Sequence, residues 1–463
     1  MSFNSNLLYF LDKLSGFSTN VFKLMPQGST DGGPNKITRI TLPANALLNT
    51  RSFKLHFTAT TSGNGARLPA DISTLVERVE VSAGGVQLSQ GMNFYNTLCN
   101  AKAAIMGSRC DSVTGHSEVV RRAKFDGDDI AAGAAAETYT PGNKATRHVI
   151  DKWEGFLGTC EPKILDASIL PDLVVSIYWA PTPVLASVSG NTTTAEMVAA
   201  HANPDASYAV SEVHATIETI GLADSVYDNM VTSMIAQKGF LEIPFKQYFS
   251  FNSVHTGNSR FTVAAQSLDR IYLAWRADGY DTQGGAVAVP GHATRAASAA
   301  AGNAAANIDN AIDLATGRTL GDYGGAYGCG AQEKYITKYQ RFKEQGAADA
   351  LTYQLQLNGA YYPQFPACLE EMYQITKTSL PMPPKYNLTH EQLRETSCVQ
   401  CIRLNMPNSE ETRTLSGLDT RSVSLNGYVN TTGTLTNNAN LMIFAEVTST
   451  LRVGSGRQLE VII

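Results

Sequence analysis

From residue 36 onward the dominant period of the chain is two. Phe53, Leu55, Phe57 and Ala59 fall on one face of a segment whose other face carries Ser52, Lys54, His56 and Thr58, the pattern of a half-buried strand. Leu351, Tyr353, Leu355 and Leu357 alternate in the same way with Thr352, Gln354, Gln356 and Asn358. Ile271, Leu273 and Trp275 alternate with Tyr272, Ala274 and Arg276, which predicts another strand of this kind. Val79 and Val81, then Gly84 and Gly85, then Val86 and Leu88 predict a hairpin whose glycine pair supplies positive φ. Each buried apolar side chain contributes about 1.5–3 kcal/mol, so this alternation would be costly on anything but a sheet.

Helical spacing is rarer. Residues 93–105 place Phe94, Leu98 and Ile105 on one side, and residues 366–378 open with Pro366 in the first turn and Glu370 and Glu371 close behind. Residues 223–235 offer Tyr227, Met230, Val231 and Met234 to a core. At the start of the chain, Phe3, Leu7, Phe10, Leu14 and Phe17 recur at three- and four-residue intervals, with Asn4, Asn6, Asp12 and Lys13 off that line. This is a short amphipathic helix, packed either on its own domain or, as an arm, on a partner or membrane surface. Asp12 and Lys13 interrupt its apolar stretch, and no basic leader precedes it, so it does not have the make-up of a signal peptide.

Two of the helices follow a hairpin or strand directly, and they lie about 270 residues apart. A second correspondence lays residues 176–185 on residues 442–451, matching Ile177 to Ile443, Thr182 to Thr448 and Leu185 to Leu451. Elements recurring in one order at one spacing predict an all-β chain of two tandem antiparallel jelly-roll sandwiches with short inserted helices. The divisions are an arm at 1–20, a first roll at 21–238 and a second at 239–463. The second roll carries a Gly- and Ala-rich insertion at 279–332, with smaller counterparts at 134–146 and 188–207. All three are surface excursions beyond the sandwich rim, since a structureless loop of that length is uncommon inside a domain.

Composition narrows the class. The chain has 463 residues, 43% of them hydrophobic, so it is not disordered, and only 17% are charged, against about 25% in ordinary soluble domains. No run approaches the roughly 18 apolar residues of a membrane-spanning helix. The net charge of −5 and the lack of a Lys/Arg cluster argue against a sequence-specific nucleic-acid partner. Arg121, Arg122 and Lys124 are answered at once by Asp126, Asp128 and Asp129. Seven cysteines without framework spacing read as thiols from a reducing compartment. Cys398 and Cys401 lie three apart on a predicted strand, hence on opposite faces, and no second pair completes a metal site. The Asn-x-Thr triplets at Asn191, Asn387 and Asn430 are what an Asn- and Thr-rich chain produces by chance.

A search for catalysis returns no residue. The chain contains no Gly-Lys dipeptide, no Gly-x-Ser-x-Gly and no Gly-x-Gly-x-x-Gly, and none of its eight histidines forms His-x-His. His390 and Glu391 begin like a zinc-protease helix, but Arg394 stands in place of the second ligand, so Thr389 is better placed as the cap of a short helix. Residues 124–129 resemble half a calcium loop without its distal Glu. No cofactor, metal or catalytic residue is expected, although paired carboxylates from distant strands leave no signature.

The closing segments Leu415-Ser-Gly-Leu-Asp-Thr-Arg421 and Asn437-Asn-Ala-Asn-Leu-Met-Ile-Phe-Ala-Glu446, with the ending Gly456-Arg-Gln-Leu-Glu-Val-Ile-Ile463, resemble the end of a double jelly-roll major capsid protein. So do Gly155-Phe-Leu-Gly-Thr159, Leu170-Pro-Asp-Leu-Val-Val175 and Leu357-Asn-Gly-Ala-Tyr-Tyr-Pro363. The texture is most similar to the capsid proteins of polinton-like viruses and virophages, within the adenovirus-hexon lineage. The resemblance implies a homotrimeric, pseudo-hexagonal capsomer that tiles an icosahedral shell around double-stranded DNA. Its implied contacts are neighbouring capsomers, minor capsid or penton proteins and an internal membrane. On that basis residues 279–332 form an outward tower, and Phe3, Leu7, Phe10, Leu14 and Phe17 line an inner-surface helix. Two alternatives stand beside it. One is a two-sandwich glycan-binding or glycan-cleaving protein, which needs exposed Trp beside carboxylates, and Trp153 is the one Trp outside a clear strand. The other is a trimeric viral receptor-binding spike.

Overall fold

The computed structural model describes residues 17–44, 46–62, 66–69, 71–89, 92–106, 146–187, 207–222, 233, 236–276, 279–281, 286–288, 312–313, 318–319, 335–346, 351–381, 388, 390–406, 415–421, 426–435 and 439–463. The main strands of the first half are β1 (Phe17–Leu24), β2 (Ile37–Thr41), β3 (Leu47–Ser62), β4 (Val76–Ala83), β5 (Val86–Gln87), β6 (Thr146–Ile150), β7 (Leu173–Trp179) and β8 (Ser207–Leu222). Those of the second are β9 (Phe240–Val254), β10 (Asn258–Thr262), β11 (Leu268–Arg276), β12 (Thr352–Leu357), β13 (Ala360–Ala367), β14 (Val399–Arg403), β15 (Asn426–Thr432) and β16 (Asn440–Gly454). A last strand, β17 (Leu459–Ile462), pairs with the end of β16.

The first half forms one sheet in the order β1-β8-β3-β6 and another in the order β2-β7-β4-β5. The second half repeats both orders strand for strand, as β9-β16-β11-β14 and β10-β15-β12-β13. This is the jelly-roll order, twice. In each half a helix links the fifth strand to the sixth: α1 (Tyr95–Met106) and α2 (Leu369–Ser379). The hairpin of β4 and β5 turns at Gly84 and Gly85, with φ of 52° and 87°, the conformation that a two-residue hairpin of this hand requires.

The apolar face of β3 points into the first core, where Phe57 meets Trp179 edge-on at 5.1 Å. In the second core Trp275 meets Tyr353 at 5.5 Å. The strand pairings are antiparallel throughout, so successive connections alternate between the two ends of each roll. The strands flanking residues 107–145, 180–206 and 277–351 therefore all open toward one end. The beginning of β1 and the end of β16 lie at the other.

Several expectations are revised. Pro366 does not open a helix. It lies in β13, an edge strand where a missing N–H costs nothing, and the helix starts after Cys368, whose N–H donates to Glu371 Oε2 at 2.9 Å. β11 is not half-buried: all nine of its residues are buried, Tyr272, Ala274 and Arg276 included. The alignment of residues 176–185 on 442–451 fails, because residues 173–179 form β7, whose counterpart is β15 and not β16. Central strands of both sheets share an apolar texture that mimics homology at the wrong register. The repeat of a hairpin and then a helix does match, as β4-β5-α1 and β12-β13-α2. Phe17 belongs to β1, paired with Leu222, so the strand begins within the expected arm. Phe3, Leu7, Phe10 and Leu14 lie outside the described residues, as do residues 223–232 of the third expected helix. The 279–332 insertion carries a short ladder at its base, Ala286–Ala288 with Tyr335–Thr337, which extends past its expected limit.

His255 bridges the second roll, with Nδ1 2.6 Å from Ser259 Oγ and Nε2 2.8 Å from Thr431 Oγ1, against the edge of Trp275. Burial pushes its imidazole from 6.5 down to about 4. The unfolded chain takes up this proton near pH 6.5 and the folded chain only near 4, so stability falls as pH drops between those values and is unaffected by this group above them. Urea unfolding should show a smaller loss of midpoint between pH 7 and pH 4.5 in His255→Gln than in the parent. Equal losses would remove His255 from the account.

Candidate assembly surfaces

Paired residues of neighbouring strands share a face, so the outer face of the sheet β9-β16-β11-β14 can be read from its register. Lys246 pairs with Thr448, Tyr248 with Glu446, Arg270 with Glu446, Tyr272 with Phe444 and Ala274 with Met442. All are at most 7% exposed. What buries this face is the first roll, through α1 and the turn around Phe156–Thr159, together with α2 at the β14 edge.

The seam between the rolls is polar and charged. Lys102 Nζ lies 2.7 Å from Glu154 Oε1 and donates to Tyr248 Oη at 3.2 Å, while Tyr248 Oη donates to Glu154 Oε2 at 3.0 Å. Tyr272 Oη donates to Glu446 Oε2 at 3.1 Å, and Arg270 Nη1 holds Glu446 Oε1 at 2.8 Å. Burial works against the charge on Lys102, but Glu154 and then Glu446 outweigh it and hold the ammonium above its ordinary value. Burial likewise opposes the Glu446 carboxylate, and Arg270, Lys102 and Lys246 outweigh it and hold it below. Lys246 Nζ meets Asp269 Oδ2 at 2.6 Å, and its backbone N–H donates to Thr159 Oγ1 at 2.8 Å across the seam. Phe156 packs edge-on against Phe245 at 5.2 Å.

At the loop-bearing end, Arg276 is fully buried between the rings of Tyr280 and Tyr339, each 4.5 Å from the guanidinium carbon. Its Nη2 donates to Thr97 Oγ1 of α1 at 3.1 Å, its Nη1 donates to the Tyr339 carbonyl, and Tyr339 Oη donates to Asn96 Oδ1 at 3.1 Å. At the opposite end the Glu161 N–H donates to the Pro244 carbonyl at 3.0 Å. Loop end meets loop end and base meets base, so the two rolls stand upright side by side.

The matching face of the first roll, on β1-β8-β3-β6, is open. Lys54 is exposed and His56 half-buried. The His56 ring stacks on His214 at 4.9 Å, and its Nε2 lies 3.0 Å from Thr216 Oγ1. Burial, then the charges of His214, Lys54 and Lys23, hold the His56 imidazole below its ordinary value.

Sequence reasoning missed the seam residues. Their signal was charge inside apolar strand text: Asp269 and Arg270 in β11 and Glu446 in the run from Met442 to Val447. Cys398 and Cys401 are buried, and burial pushes the Cys401 thiol to about 12 and that of Cys398 well up. Among the described residues no three His, Cys, Asp or Glu side chains group to hold a metal ion. All three Trp are buried, and Trp153 Nε1 donates to the Phe53 carbonyl at 2.9 Å, so none offers a ring to a sugar. His390 and Glu391 lie in the short helix His390–Glu395, and His390 Nε2 meets Glu370 at 2.6 Å; Thr389 lies outside the described residues.

Two upright jelly rolls joined through a buried seam define a double jelly-roll protein. Solved structures share this arrangement along nearly the whole chain. The capsid of PBCV-1 virus matches at a TM-score of 0.52 and 14% identity, covering 98% of this chain and 99% of that one. The PBCV-1 VP54 crystal structure matches at 0.51 and 15%, with coverage of 98% and 99%. The Faustovirus major capsid protein matches at 0.50 and 9%, with coverage of 97% and 92%. No family model and no curated relative matches the sequence.

Breaking a buried ion pair by removing one partner leaves the other charge stranded. Lys102→Met should cost about 3 kcal/mol in urea unfolding, and adding Glu154→Gln should restore part of it. A double variant as unstable as the single one would show that the seam does not depend on this pair.

Proposed function

We propose that the chain is a major capsid protein, a structural component of a virion made inside the host cell. Its copies associate as a homotrimer, the pseudo-hexagonal capsomer of an icosahedral shell around double-stranded DNA. The observation that carries this reading is the upright pair of rolls fused by buried charge: one chain already forms two like blocks, side by side, with loops at one end and both termini's strands at the other. The solved structures that share the fold end to end are a virus capsid and major capsid proteins. The divisions near residues 20 and 238 then mark an arm and two rolls, and the loop end is the outer surface, with the 279–332 insertion as its tower. Neighbouring capsomers and minor capsid or penton proteins are the further contacts.

Light scattering of the purified chain should give the mass of three copies, and negative-stain images should show pseudo-hexagonal particles or lattice patches. A stable monomer at high concentration would overturn the proposal, and trimers that never form patches would favour a spike.

Phe3, Leu7, Phe10 and Leu14 belong, on this reading, to an inward-facing arm that contacts neighbouring capsomers, minor proteins or an internal membrane. What supports it is the position of β1, which begins at the end opposite the long loops. Deleting residues 2–14 leaves β1 whole and should lower particle yield while trimers persist in size-exclusion profiles. Loss of the trimer would sink the arm assignment.

A further inference from the structure

Among the described residues the buried Lys and Arg side chains are Lys102, Lys246, Arg270 and Arg276. The first three each face a carboxylate: Lys102 meets Glu154 at 2.7 Å, Lys246 meets Asp269 at 2.6 Å and Arg270 meets Glu446 at 2.8 Å. Arg276, 0% exposed at the loop end of the seam, has no ion pair among the described residues. A guanidinium does not shed its proton in a protein, and a buried charge without a counter-charge is among the costliest placements a fold can make. The acids of the surrounding elements do not answer it. Asp281 is exposed and acts on Arg276 only through space, while Glu344 lies 3.3 Å from Arg394 Nε and accepts from Tyr353 Oη at 3.1 Å.

The rings of Tyr280, Tyr339 and Phe342 take up part of the charge through their π faces, but they accept no N–H. Nη1 donates to the Tyr339 carbonyl and Nη2 to Thr97 Oγ1, whereas Nε is buried without an acceptor. Nε and Nη2 share one edge of the guanidinium, the fork that grips anions, so Nε faces α1 as Nη2 does. Asn100 lies one turn beyond Thr97 on the same face of α1. It is fully buried, its Oδ1 accepts from Thr74 Oγ1 at 3.1 Å, and its Nδ2 has no acceptor. One charged and one neutral donor, from opposite rolls, thus stand without acceptors at the same part of the seam.

We propose that the seam holds a small monovalent anion of halide size, which accepts from Arg276 Nε and Asn100 Nδ2. One negative charge matches the one unanswered positive charge, and full burial of both side chains excludes a phosphate or carboxylate carried on a larger molecule. The anion does between the rolls what Glu154, Asp269 and Glu446 do within them. The proposal concerns a single chain and is independent of the assembly proposed above.

Urea unfolding in sodium chloride and in sodium gluconate at equal ionic strength tests it, since gluconate is too large for a buried site. An anion bound by the folded chain alone lowers the unfolding constant about tenfold once its concentration reaches about ten times its dissociation constant. The wild-type chain should show that fall in chloride, and Arg276→Gln, which removes the charge, should show none. Wild-type crystals soaked in sodium bromide keep the test independent of whether Arg276→Gln folds: an anomalous bromine peak should lie within hydrogen-bonding reach of Arg276 Nε. Density there that scatters only as water would overturn the proposal, as would a chloride effect that persists in a folded Arg276→Gln. Equal wild-type unfolding constants in the two salts would also overturn it, any bromine peak then marking binding at crystal concentration only.

Discussion

The middle of one sheet of this protein has no face left for water. β9-β16-β11-β14 turns Ile271, Leu273 and Trp275 into the second core and Tyr272 and Arg276 toward the first roll, with Arg270 held by Glu446 and the Ser379 carbonyl of α2. A strand whose two faces are both buried cannot carry unpaired polar groups, because each would cost its full desolvation. Everything at the seam follows from that. Glu446 needs Arg270 and Tyr272, Lys102 needs Glu154, and Arg276 needs the Tyr339 carbonyl and Thr97. Each ion pair closes within one roll, and the contacts that cross the seam, Tyr248 to Lys102 and Glu154, Arg276 to Thr97 and the Lys246 N–H to Thr159, hold the two rolls in one register.

Buried ion pairs are weak sources of stability against an apolar alternative, but they are selective. An apolar seam between two similar sandwiches would tolerate sliding by a residue or two. A seam in which Tyr248 must meet Lys102 and Glu154, and Arg276 must meet Thr97, tolerates one alignment. The low charge content of the chain, 17%, acquires a physical sense here. Several of those charges are inside, where they fix geometry.

How much of this was legible in the sequence depended on whether a strand kept a wet face. β3 and β12 did, and their alternation gave both the strand and its buried side. β11 did not, and the alternation of Ile271, Leu273 and Trp275 with Tyr272, Ala274 and Arg276 looked like a half-buried strand because Tyr and Arg are usually found in water. The clue was Arg270 and Arg276 at like-facing positions of one apolar strand, and it has meaning only once a partner surface is known. The α2 boundary was obscured by Pro366, which suits a helix start and an edge strand equally well. The repeat was legible from element order but not from residue identities, since apolar strands resemble one another at any register. The candidate arm residues are legible only as a pattern, with Phe17 drawn into β1 by its pairing with Leu222.

Alternating strand direction adds a polarity that neither composition nor motif conveys. In a jelly roll, the connections after the first, third, fifth and seventh strands share one end. Each Gly- and Ala-rich stretch of this chain falls in such a connection: 134–146 after the fifth strand, 188–207 after the seventh, and 279–332 after the third strand of the second roll. Insertions at the other end would crowd the starts of β1 and β9. Among the described residues of the loop-end connections, Tyr280 and Tyr339 flank Arg276, and Tyr339 and Gln340 reach back to Asn96 and Thr74. The chain thus grows in one direction only, while its flanks keep the flat, repeated shape that lets one roll stand against the next.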